Sequence, residues 1–133
     1  MHTTMEWILA MAKTDSHKQQ LGKWGEQTAA VFLTGRGYSI LGKNLRTPYG
    51  EIDLLAEKDN ILIFVEVKTR SNRSFGEPEE AITDDKKAHM VAAAEAYLQG
   101  HPECNQDWRI DVISLVRSSP GKVEIRHFEN AVS

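Results

Sequence analysis

The sequence predicts an α/β domain, a central mixed five-stranded sheet flanked by helices in the order α-β-β-β-α-β-β. Three observations predict it. Apolar spacing switches from a helical period to strand-like runs at Gly35–Gly37. Ile61–Val65 is a short, continuous apolar run of the kind found in a central strand covered on both faces. A second helical stretch then separates it from two further strand-like runs.

The elements follow in order. Leu21, Trp24, Ala29, Val31, Phe32 and Leu33 form a helical stripe between His17 and Gly35. Ser16 would cap it, and Gly35 and Gly37 would stop it. Tyr38–Leu41 starts a short strand that fades into Asn44-Leu45-Arg46. Pro48, Tyr49 and Gly50 make a turn into a second strand, Glu51–Ala56, and Lys58-Asp59-Asn60 a tight reversal into Ile61–Lys68. A loop spans Ser71–Glu80, with Gly76 and Pro78. Thr83 is a good N-cap, with Asp84 and Asp85 favourable in the first turn of a helix reaching about Gln99. Gly100 and Pro102 end it. Trp108–Val116 is a strand, and Pro120-Gly121 turns the chain into a last one, Val123–Phe128.

Composition narrows the function classes. In 133 residues, 41% are hydrophobic and 26% charged, which excludes a disordered tail and suits one domain. The domain is expected over 17–130, with 1–16 a mobile extension and Met5 or Met11 alternative starts. No apolar run approaches the length of a membrane span. The lone Cys104 excludes an internal disulfide and points to a reducing, cytoplasmic setting. The five His residues lack metal-ligand spacing, and Gly35-Arg36-Gly37 lacks the third glycine of a phosphate loop.

A net charge of −3 gives no general prior for nucleic acid. Its distribution is uneven: His17–Gly50 carries five basic residues and one acid, whereas Glu51 onward carries ten basic and sixteen acidic. Such asymmetry could steer a polyanion to one side, or be the chance spread of solvated side chains.

The chemistry-bearing residues emerge from register. Glu66 and Lys68 are two apart on one strand and share a face. Asp53 lies thirteen positions before Glu66, and both fall some six residues from the middle of the Lys58–Asn60 reversal. A hairpin sets them side by side. Neighbouring carboxylates repel unless something positive intervenes, and a hard divalent cation with oxygen ligands is a natural remedy. Lys68 would orient water or neutralise charge during phosphoryl transfer. Taken singly, Asp53 reads as a turn cap or a partner for Lys68, and Glu66 and Lys68 as solvent-facing charges. Convergence of the three is what points to metal-assisted phosphodiester hydrolysis.

Other charges have two readings each. Glu51 is a further ligand or, as favoured here, a turn-edge charge. Glu26 is a polar-face helix residue or an acid reaching the same metal. Lys86 is a solvated charge or a phosphate contact. Asp111, inside an apolar strand, is expected to pair with Arg109 or take a backbone cap.

Taken together, Gly22-Lys-Trp-Gly25-Glu26, Gly37-Tyr38, Asn44-Leu-Arg46, Gly50-Glu-Ile-Asp53-Leu, Phe64-Val-Glu66-Val-Lys68-Thr-Arg70, Phe75-Gly76 and Arg109-Ile-Asp111-Val resemble the bacterial YraN family, also called UPF0102, over about residues 18–117. That family is similar to the PD-(D/E)XK nuclease superfamily, archaeal Holliday-junction resolvases in particular. The resemblance implies a restriction-endonuclease-like core, Asp53 as the acid of the first motif and Glu66-Val67-Lys68 as the second. It also implies Glu26 as an added acid at the metal site and Lys86 as a helix-borne base. Gly50-Glu-Ile stands where the name-giving proline would be. The chemistry is inherited from the superfamily, which carries fold more safely than function.

The expectation is therefore a Mg²⁺- or Mn²⁺-dependent endonuclease acting on DNA, branched DNA included, with RNA as another substrate class. Asp53 and Glu66 would hold the metal with Glu26 and the Val67 carbonyl, and Lys68 would position water. Lys23, Arg46, Arg70 and Lys86 would contact the backbone, and a homodimer would suit a two-armed junction. The alternative is a catalytically silent nucleic-acid-binding or scaffold protein that keeps the fold.

Overall fold

A computed structural model describes residues 17–71, 82–119 and 121–132. The expected extension over 1–16 with its Ser16 cap, the loop residues 72–80 with Phe75, Gly76 and Pro78, and Pro120 of the last turn lie outside the described residues. The element order is the expected one: α1 (His17–Gly35), β1 (Ser39–Thr47), β2 (Gly50–Lys58), β3 (Ile61–Arg70), α2 (Asp84–Gln99), β4 (Trp108–Ser119) and β5 (Lys122–Phe128).

Helix α1 buries Gly25, Ala29, Ala30 and Leu33, one stripe at helical spacing. It ends in a Schellman motif: Tyr38 N–H reaches the Leu33 carbonyl at 3.1 Å and Gly37 N–H the Thr34 carbonyl at 3.2 Å. Gly37 supplies the required left-handed backbone with φ 90°. For α2 the Thr83 hydroxyl accepts from Lys86 N–H at 3.2 Å, the cap expected from its side-chain type.

The five strands lie in sequential order, β1-β2-β3-β4-β5. Among the described residues only β3 and β4 run parallel, the pair that α2 separates in sequence. Asp59 and Asn60 both adopt left-handed backbone, φ 53° and 61°, so the β2–β3 reversal is a two-residue hairpin closed by Lys58 opposite Ile61. Strand β1 does not fade after Leu41. It shifts register between Ile40 and Gly42 and continues pairing with β2 to Thr47. A bulge on an edge strand costs only local pairing, so the ladder resumes beyond it.

Strand β3 is apolar on both faces because both are covered. Ile63 and Val65 pack with Ala29, Ala30 and Leu33 of α1, while Leu62 and Phe64 pack with Ala93 and Ala94 of α2. Asp111, fully buried in β4, is satisfied as expected and more. Its Oδ1 accepts from Arg109 Nε and from Asn130 N–H, both at 2.9 Å. Its Oδ2 lies 2.8 Å from His127 Nε2. Burial pushes this carboxyl up, but the bonds from His127, Arg109 and Asn130 outweigh that and hold it below the usual range.

Candidate functional site

The β2–β3 ladder pairs Leu54 with Val65, so one step further out come Asp53 and Glu66. At this step β2 departs from strict alternation. Leu54 and Ala56 pack on the α1 side, yet Ile52 joins Leu55 on the α2 side. Opposite the kink, between the Lys43–Leu54 and Leu45–Ile52 pairs, Asn44 of β1 takes a left-handed backbone with φ 52°. Asn is among the few residues that tolerate it.

The Asp53 Oδ2 accepts the Val67 amide at 2.8 Å. The Val67 N–H thus orients one of the expected metal-holding acids. Lys68 Nζ lies 3.0 Å from Glu66 Oε1. Carboxylate oxygens of Glu26, Glu51 and Asp53 all fall within 4.8 Å of one another. Acids from α1, β2 and β3 thus meet at one end of the hairpin, with Lys68 at their side.

This crowding has an electrostatic signature. Burial, the charge of Glu66 and to a lesser degree that of Glu26 raise the Asp53 carboxyl to about 8, against the opposing pull of the Val67 amide. Glu26 is also raised, first by burial and then by Glu51 and Glu66, while a hydrogen bond from Asn44 works in the other direction. A donor set made only of carboxylate oxygens suits a hard divalent cation, and such an ion would offset the burial and the like charges that raise the Asp53 carboxyl. The residues present therefore fit Mg²⁺ or Mn²⁺. Glu51 is exposed, so the cluster keeps an open side.

Of the residues expected from sequence, Asp53, Glu66, Lys68 and Glu26 come together. Lys86 joins them across a cleft lined also by Glu51, Glu66, Lys68 and His89. Arg46 stands opposite Glu51 in the β1–β2 ladder, Arg70 ends β3 opposite Val116, and Lys23 is exposed on α1. These three sit on three different elements. Glu51, favoured as a turn-edge charge, instead lies within the acid cluster. Its spacing of two from Asp53 was the available signal. The contribution of Asn44 had no signal in spacing, because it depends on a left-handed residue in an edge strand.

Comparison with known proteins gives a family. The model of the "Uncharacterised protein family UPF0102" matches residues 25–115. A UPF0102 protein of Syntrophomonas wolfei is 45% identical over 113 residues, covering 85% of this chain and 97% of its own length. One from Roseiflexus castenholzii is 44% identical over 117 residues, 86% of this chain and 94% of its own. One from Dehalococcoides mccartyi is 41% identical over 104 residues, 78% of this chain and 86% of its own.

Proposed function

The chain belongs to the UPF0102 family, and from that premise we propose that it is a Mg²⁺- or Mn²⁺-dependent phosphodiesterase that cuts DNA, with branched or flapped DNA as the substrate class. The observation that carries this reading is the meeting of Asp53, Glu66 and Glu26 from three elements beside Lys68.

Asp53 and Glu66 would hold the ion, with Glu26 and Glu51 completing the set. When bound, the ion supplies positive charge that polarises a phosphoryl oxygen and acidifies water. The protein's own groups do the rest. The Val67 amide fixes the Asp53 carboxylate in place. Lys68, kept beside the acids by its Glu66 contact, orients the attacking water and offsets charge building on the phosphoryl oxygens. Lys86, Arg46, Arg70 and Lys23 meet backbone phosphates, contacts that position a strand without reading bases. A symmetric dimer would present two such sites to a junction.

The test is incubation of the purified chain with labelled four-way junction, flap, single-stranded and duplex DNA, with Mn²⁺, Mg²⁺ or EDTA. We expect metal-dependent nicking that falls at least about 100-fold in Asp53→Ala and Lys68→Ala, the scale of losing a charge-stabilising group. DNA binding without nicking, unchanged in both variants, would leave a silent scaffold in its place.

A further inference from the structure

We propose that the cleft beside the acid cluster seats one unpaired nucleotide of the substrate strand, with the Tyr49 ring as the surface on which its base stacks. This rests on the phosphodiesterase reading and adds to it what the strand must look like at the site.

Tyr49 is the starting point. It is 56% exposed, although burying an aromatic ring is among the larger favourable terms available to a chain. Nor is it on a slack loop. The Thr47 hydroxyl donates to the Gly50 carbonyl at 2.7 Å and accepts the Tyr49 amide at 3.1 Å. Pro48 fixes one backbone angle between them, and Gly50 takes φ 130°, a conformation closed to other residues. The turn backbone is braced at both ends, so it needs little further ordering when the ring meets a partner.

The cleft it borders has three kinds of wall. Ile82 and Met90 give an apolar side, Glu66 and Lys68 bring in the acid cluster, and Lys86 and His89 add basic groups from α2. Lys86 and His89 are three apart on the helix and so lie on one face. His89 is anchored through Nδ1, 2.9 Å from the Asp85 carbonyl. A flat apolar surface, a basic side and a phosphoryl-transfer cluster within one small space match the parts of a nucleotide: base, phosphate and scissile bond.

Access to the Tyr49 ring decides between paired and unpaired strands. The cleft holds about 250 Å³, just under the roughly 300 Å³ at which pockets for larger ligands begin. A base inside a duplex has both faces covered by its neighbours and cannot reach Tyr49 without leaving the stack. An unpaired base offers its face freely, and stacking of this kind tolerates any base. Frayed ends, flaps and junction centres provide such nucleotides.

The experiment measures binding by fluorescence anisotropy, with Ca²⁺ as the divalent ion. The probes are single-stranded DNA and RNA of the same sequence and a blunt duplex, and the proteins are wild type, Tyr49→Phe and Tyr49→Ala. Tyr49→Ala is expected to weaken single-strand binding about tenfold on at least one of the two strands, on the scale of one lost stacking contact. Tyr49→Phe should keep it, and the duplex should be indifferent to both. Equal binding by wild type and Tyr49→Ala on both single strands overturns the seat, as does a loss shared equally with the duplex. Mn²⁺-dependent hydrolysis of bis(p-nitrophenyl) phosphate, measured alongside, is small enough to need no seat. Hydrolysis with no Tyr49 effect removes the seat and leaves the phosphodiesterase. A Tyr49 effect without hydrolysis removes the catalytic reading and keeps the nucleotide site.

Discussion

Gly25 of α1 lies directly on Thr69 of β3, so closely that a β-carbon on Gly25 would collide with the Thr69 hydroxyl. Glycine inside a helix costs roughly 0.5–1 kcal/mol relative to alanine, so the residue answers a packing need. The close approach brings Glu26, the next residue, down towards the strand that carries Glu66 and Lys68.

Gly25→Ala should therefore destabilise the chain by about 1–3 kcal/mol through overpacking. Thr69→Ala, which removes the hydroxyl, should return part of that loss in the double variant. Urea unfolding of the four proteins measures the coupling. Strictly additive effects would mean that the contact is not what limits the helix position.

Asp53→Asn should raise the stability of the metal-free protein at pH 8. The native state holds the Asp53 proton after the unfolded chain has lost it. Stability therefore falls as pH climbs from the ordinary carboxyl value of 3.8 to about 8, and is not regained above that. An amide carries no such penalty. A gain of about 2 kcal/mol, or several degrees in Tm, is the expected size. An unchanged or lowered Tm at pH 8, with a normal one at pH 5, contradicts the strained carboxyl.

Mn²⁺ should stabilise the wild type, and more at pH 8.5 than at pH 6, because the ion must displace the proton that Asp53 keeps. At about 100 times its dissociation constant the shift corresponds to roughly 2.7 kcal/mol. EDTA should abolish it, and Asp53→Asn should be blind to the ion. Differential scanning fluorimetry across pH reads all three. A shift that shrinks as pH rises speaks against ligation by this acid.

Asp111→Ala should cost about 3–5 kcal/mol, because it strands Arg109 and an amide in the interior. The native carboxyl titrates below its unfolded value. Its contribution is therefore complete above the unfolded value and disappears as pH falls through the native one. Acid unfolding followed by circular dichroism should show the wild type losing more stability below about pH 4 than Asp111→Asn does. Parallel acid profiles would remove this carboxylate from the stability of the fold.

Much of this was legible in the chain itself. Ile61–Val65 announced a strand covered on both faces, Thr83-Asp84-Asp85 announced a helix start, and Lys58-Asp59-Asn60 a tight reversal, which the structure narrows to the two residues Asp59 and Asn60. Counting outward from that reversal placed Asp53 against Glu66, because antiparallel register follows from turn position and a period of two. Arg109 as a partner for Asp111 came from the same local logic.

Other features were decided only when the elements packed. The descent of Glu26 depends on how α1 docks, and the break in alternation beside Asp53 on how β2 kinks, and no periodicity encodes a docking angle or such a break. His127 and Asn130 reach Asp111 from β5 and the residues after it, a closure set by three-dimensional proximity. Local sequence determines which backbone shape each segment favours and which side chains alternate. The meeting of charges from distant segments is set by the burial that pulls helices onto the sheet, and only the folded chain shows where that leaves them.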